Sequence, residues 1–158
     1  MPNETAIQFA SASVSMHPSP IDPEWILDGK PVARNDLLSS SADGTANTFL
    51  WECTPGRFNW YYPIDETLYL IAGSVSIRDA QGKVTRVGPG DSVFFPAGSW
   101  AEWTVHEQVR KVAFCRKPLP RQLVRAKRVY RFFKNLLRGT GPEASEPTMF
   151  GGARSAAR

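Results

Sequence analysis

Histidine is scarce in this chain. His17 and His106 are the only imidazoles in 158 residues, so it has few of the ligands that divalent transition-metal sites usually draw on. Cysteine is equally sparse. Cys53 and Cys115 show no CxxC spacing and are too few for a disulfide framework, so they read as two reduced thiols packed as small apolar groups. No run approaches the roughly 20 consecutive apolar residues that a membrane-crossing helix needs. The start, Met1-Pro2-Asn3-Glu4, lacks the basic-then-apolar order of a secretory signal. A cytoplasmic protein is the expectation. At this length two independent cores would each be marginal, so one domain with short extensions is expected.

Acidic residues are absent from Arg116 to Arg138, a stretch that carries nine Lys or Arg. Up to Cys115 the chain holds eight basic and thirteen acidic residues, and after it eleven basic and two acidic. The formal charge of +4 therefore describes the C-terminal segment, while the preceding part is acidic. The basic segment contains no recognisable nucleic-acid-reading motif, so no nucleic-acid partner is expected.

Residues 1–44 read as an irregular arm laid over the domain. Pro18, Pro20, Pro23 and Pro31 work against regular helix or central strand, and Trp25, Ile26 and Leu27 are its concentrated apolar anchor. Over 45–117 the pattern changes to short β-rich runs, among them Thr48 to Trp51, Phe58 to Tyr62, Thr67 to Ile71, Ser92 to Phe95, Glu102 to Val105 and Arg110 to Phe114. The turn chemistry of Thr54-Pro55-Gly56, Asp79 to Gly82, Gly88 to Asp91 and Pro96-Ala97-Gly98 separates them. Even spacing of this kind signals an all-β barrel or sandwich. Over 118–139 the period becomes helical: Leu123, Ala126, Val129-Tyr130, Phe133 and Leu136-Leu137 form a stripe flanked by cations, a basic amphipathic helix stopped by Gly139 and Gly141-Pro142. Residues 140–158 have the composition of a disordered tail.

Together Pro55-Gly56, Asp65-Glu66, Gly73, Gly90-Asp91, Phe95-Pro96-Ala97-Gly98 and Trp103 carry a resemblance. Six residues separate Glu66 from Gly73 and five separate Gly90 from Pro96. In this order on a β-rich chain the region resembles the cupin superfamily, and is similar to the small ureidoglycine aminohydrolase and ethanolamine-utilisation cupins. The resemblance implies a double-stranded β-helix, or jelly-roll, barrel and favours a homodimer. In metal-binding members the first motif supplies two histidines and a carboxylate and the second a further histidine, all facing inward. Counting back from Glu66 gives Asn59 and Tyr61, and counting forward from Pro96-Ala97-Gly98 gives Ala101. Only Glu66 then remains of four ligand positions, so no metal and no cofactor are expected. His106 lies beyond the last ligand position and reads as a surface or loop residue, as does His17 in the arm.

If Asn59, Tyr61 and Glu66 point inward, strand alternation adds Ala101 and Trp103 and gives an aromatic-lined polar pocket for a small organic ligand. The competing reading is a packed barrel in which Glu66 is salt-bridged to Lys111 or Arg57. Four functions follow. One is a metal-free ligand-binding cupin. The second is a metal-independent isomerase, epimerase or lyase with Glu66 as general base and Tyr61 as general acid. The third is a metal-dependent enzyme like the aminohydrolases. In the fourth, the helix over 120–138 docks on a partner or lies on an anionic membrane surface, making the protein peripheral there.

Overall fold

The computed structural model describes residues 7–11, 15–118, 120 and 129–130. The chain divides into two compact units, 1–118 and 119–158, and every described strand belongs to the first. The expected helix over 118–139, the tail over 140–158 and the membrane contact through 120–138 fall almost wholly outside the described residues.

Among the described residues eleven strands run β1 (His17–Pro18), β2 (Ile26–Gly29), β3 (Ala33–Ser40), β4 (Ala46–Cys53), β5 (Gly56–Tyr62), β6 (Asp65–Ala72), β7 (Val75–Arg78), β8 (Val84–Val87), β9 (Ser92–Phe95), β10 (Ser99–Val105) and β11 (Val109–Arg116). They form two antiparallel sheets, β1-β3-β4-β11-β6-β9 and β2-β5-β10-β7-β8. The all-β reading holds, and the arrangement is that of a jelly roll. Alternation along each strand sends one face into the space between the sheets. Trp51 and Cys53, Phe58 and Tyr62, Leu68 and Leu70, Ala101 and Trp103 all meet there.

The stretch over 1–44 is more regular than its prolines suggest. It supplies β1 and β3 to one sheet and β2 to the other. Pro20 and Pro31 lie between strands, Pro18 ends a two-residue edge strand, and Pro23 opens a 3-10 turn capped by Asp22, whose Oδ1 accepts from the Glu24 N–H at 2.9 Å. The prolines therefore punctuate the stretch and leave the ladders intact. Its apolar anchor also differs in detail: Trp25 and Ile26 pack on the core, Ile21 is buried, and Leu27 is exposed.

The corners behave as their residue types require. Gly73 adopts φ +79°, and a Cβ there would overlap the Gln108 carbonyl. Asp91 Oδ2 accepts from the Gly88 N–H at 2.8 Å, and Asp79 Oδ1 accepts from the N–H groups of Gln81 and Lys83 at 3.0 and 2.9 Å, closing both turns locally.

Candidate functional site

Strand β5 sets the phase of the barrel interior. It pairs with β10 so that Ala101 faces Trp60 and Trp103 faces Phe58, while Glu102 faces Asn59 and Trp100 faces Tyr61. Directly opposed residues share a face. Phe58, Trp60, Tyr62, Ala101 and Trp103 therefore point inward, and Asn59 and Tyr61 lie on the outer face. Tyr61 packs against half-exposed Trp100, the rings tilted by 42° with centroids 5.1 Å apart.

The expectation that Asn59 and Tyr61 line the pocket with Glu66 is thus corrected by one residue. Three residues, not four, separate the last inward position of β5 from Glu66, and with a period of two a one-residue slip turns a strand over. With the phase set by β10, the spacing before Glu66 assigns Trp60 and Tyr62 to the two inward places that the resemblance gives to histidines. The alternation of Arg57 and Asn59 with the bulkier apolar Phe58 and Trp60 was the available signal.

Of the remaining candidates, Glu66, Ala101 and Trp103 do face inward, but not into one pocket. Glu66 lines a cavity of about 120 Å³ with Ser19, Asn35, Trp51, Trp60 and Lys111. Ala101 lines a separate cleft of about 360 Å³ with Ile77, Val87, Phe95 and Trp100. The two share no lining residue. Aromatic side chains fill much of the interior: Tyr62 stacks on Phe95 at 4.1 Å and 5°, and Phe95 and Phe58 each lie about 6 Å from Trp103. The Tyr62 hydroxyl accepts from Trp103 Nε1–H at 3.0 Å. Burial, and after it the negative field of Glu66, push the Tyr62 phenol well above its ordinary range.

Lys111 is the charged group at the centre of this interior. It faces inward because Val109, Lys111 and Ala113 share one side of β11. Its Nζ lies 2.6 Å from Glu66 Oε1, and the two side chains are only 6% and 12% exposed. The ammonium also stands 4.9 Å from the ring centroids of both Trp51 and Trp103. Ala113, the inward residue between Lys111 and Cys115, leaves room for the lysine chain to lean toward Glu66. Of the two proposed partners for Glu66, the structure selects Lys111; Arg57 pairs with Glu102 at 3.4 Å instead.

Neither thiol is activated. Cys115 Sγ lies 3.9 Å from Glu66 Oε2, and burial first, then Glu66, push its pKa up to about 11. Burial likewise takes Cys53 to about 12. Both remain protonated near neutral pH. His106 sits on the surface, its Nε2 2.7 Å from Ser76 Oγ, and His17 is exposed.

The residues at the cupin metal positions do not fit a metal. Trp60 and Ala101 offer no donor, Tyr62 offers a buried phenol already bonded to Trp103, and Glu66 is engaged by a cation. Among the described residues no group of three or more His, Cys, Asp or Glu converges on one point.

Residues 40–113, from the end of β3 almost to the end of β11, match the family described as the EutQ-like cupin domain. The chain is a small cupin. Among solved structures, this cupin is similar to a DUF861-family protein of unknown function from Pseudomonas syringae pv. tomato, at 27% identity and TM-score 0.59, covering 72% of this chain and 46% of that one. It therefore spans less than half the length of that protein. A polyketide cyclase, RemF, from Streptomyces resistomycificus shares the fold at 18% identity and TM-score 0.52, covering 73% and 82% of the two chains. A putative ethanolamine utilization protein, EutQ, from Salmonella typhimurium is 22% identical, with TM-score 0.49 and coverage of 54% and 69%. Among curated proteins none matches the chain. The family match supports the ethanolamine-utilisation side of the expected resemblance; an aminohydrolase likeness does not follow from it.

Proposed function

We propose that this cupin binds a small organic molecule without a metal, in the cavity beside the Lys111–Glu66 pair. The observation that carries the reading is the ammonium of Lys111, held 2.6 Å from the one surviving ligand-position carboxylate and flanked by two indole faces. Indole faces attract cations, so the barrel already contains a fixed positive charge tethered to its own wall. A metal ion seated on Glu66 would stand close to that charge. Like unit charges about 4 Å apart repel by about 4 kcal/mol at an effective dielectric constant near 20, and a dication doubles the cost.

What remains is the usual anatomy of a binding site: apolar walls from Trp51, Trp60 and Phe49 with a few polar groups placed among them. The acid–base reading loses its acid, because Tyr61 stands against Trp100 on the outer face of β5.

The test is a fragment screen by ligand-observed NMR on the full chain, with and without a chelator. Hits should persist in chelator and should disappear in Ala113→Leu, which fills the cavity. Hits that require added Mn, Ni or Zn, or that survive Ala113→Leu unchanged, would refute the reading.

A further inference from the structure

Hydrogen-bond accounting around the cavity points to one kind of occupant. Lys111 carries three N–H donors, and one is used on Glu66 Oε1. Among the described residues Glu66 Oε2 meets only the Cys115 thiol at 3.9 Å, a long contact with a weak donor, so it retains accepting capacity. Trp51 is 7% exposed, lines the cavity, and its indole N–H has no partner among the described residues. A buried donor left unmatched costs about 1–3 kcal/mol, and such a group calls for a partner that binds there. Lys111, whose ammonium stands 4.9 Å from the Trp51 ring centroid, thus lines one cavity together with that unmatched indole donor and the Glu66 acceptor.

The charge balance narrows the choice. Glu66 and Lys111 cancel, and Cys115, its pKa raised to about 11, adds no charge near neutral pH. An anion would face Glu66 and a cation would face Lys111, in either case leaving a net charge between aromatic walls, which is expensive without a partner. An uncharged molecule with an acceptor oxygen adjacent to a donor N–H satisfies all three groups. The cavity, about 120 Å³, suits a small molecule or the small polar end of one.

We propose that the cavity recognises a small uncharged molecule of the primary-amide class, its carbonyl oxygen accepting from Lys111 and Trp51 and its N–H donating to Glu66. The inference rests on the small-molecule reading given above and adds the ligand's chemistry.

Three isosteres separate the cases: propanamide, propanoate and propylammonium, each titrated into the ¹⁵N-tryptophan-labelled full chain. The Trp51 indole resonance is assigned from its loss in Trp51→Phe. Propanamide should shift that resonance saturably and bind at least about tenfold more tightly than either charged isostere, a difference of about 1.4 kcal/mol. Trp51→Phe, which removes the N–H but keeps an aromatic ring, should weaken propanamide several-fold. Tighter binding of propanoate or propylammonium would overturn the inference while leaving the small-molecule reading intact. Propanamide binding that leaves the Trp51 indole unmoved would also overturn it. If none of the three binds, the inference falls, and the fragment screen separately decides the broader reading.

Discussion

Replacing Lys111 with methionine removes the ammonium while keeping most of the side-chain volume. In the wild-type chain the charge is shared between Glu66 Oε1 at 2.6 Å and two indole faces at 4.9 Å, with both ionic side chains almost fully covered. Breaking a buried pair by removing one partner leaves an uncompensated charge and costs about 3–5 kcal/mol. Loss of the indole contacts adds to this, about 2 kcal/mol for a desolvated cation–π contact, part of it returned by sulfur–aromatic contact from the new methionine. Lys111→Met should therefore destabilise the domain by at least about 3–5 kcal/mol, a large share of the 5–15 kcal/mol typical of a native domain.

The double variant Lys111→Met/Glu66→Leu should recover most of that loss, because exchanging a whole buried pair for apolar groups is often neutral or stabilising. Urea denaturation followed by circular dichroism, arranged as a double-mutant cycle, gives a coupling energy that should exceed about 2 kcal/mol. The single variant should also recover stability as pH falls. An isolated buried Glu66 would have its pKa raised above the unfolded value, so the folded form binds the extra proton and stability declines as pH rises. A single-variant cost below about 1 kcal/mol, or additive single costs, would refute the buried pair as the interior's electrostatic centre.

Tyr61→Phe and Asn59→Ala, on the outer face of β5, should each change stability by no more than about 0.5 kcal/mol and leave fragment binding unaltered; loss of binding in either would place those residues in the site after all. Gly73→Ala should cost several kcal/mol, since the left-handed conformation alone costs about 1–2 kcal/mol and the new Cβ overlaps the Gln108 carbonyl; a fall in melting temperature of only a degree or two would contradict this. The raised Tyr62 phenol predicts alkaline sensitivity. Its unfolded form loses the proton first, so stability should be complete below the ordinary tyrosine pKa of about 10 and should decline as pH rises through it. A melting temperature flat from pH 9 to 11 would argue against a buried neutral phenol.

The parts of the fold that were legible in the sequence are those set by local chemistry. Gly73, Asp79 and Asp91 close their turns through their own backbone conformation or through hydrogen bonds to neighbouring residues, so their residue types sufficed. Strand phase was harder. Motif spacing tolerates a one-residue change before Glu66, the alternation of Arg57 and Asn59 with Phe58 and Trp60 is short, and the pairing of β5 with β10 is what places Trp60 and Tyr62, not Asn59 and Tyr61, inside the barrel.

The arm misled for a related reason. Proline density was read as irregularity, although the prolines fall in the gaps between β1, β2 and β3 or at their ends. Lys111 was visible as the one charged residue among the inward positions Val109, Lys111 and Ala113. Its pairing with Glu66 was one of two readings the sequence offered; the choice over Arg57, and the convergence of Trp51 and Trp103 on the ammonium, are long-range facts that no local pattern contains.

The most direct test is a crystal structure of the full chain grown with excess Mn²⁺, with anomalous scattering recorded at a wavelength where manganese is strong. The barrel interior should show no anomalous peak, and Lys111 Nζ should lie within hydrogen-bond distance of Glu66. A manganese peak coordinated by Glu66, with the lysine displaced, would contradict it.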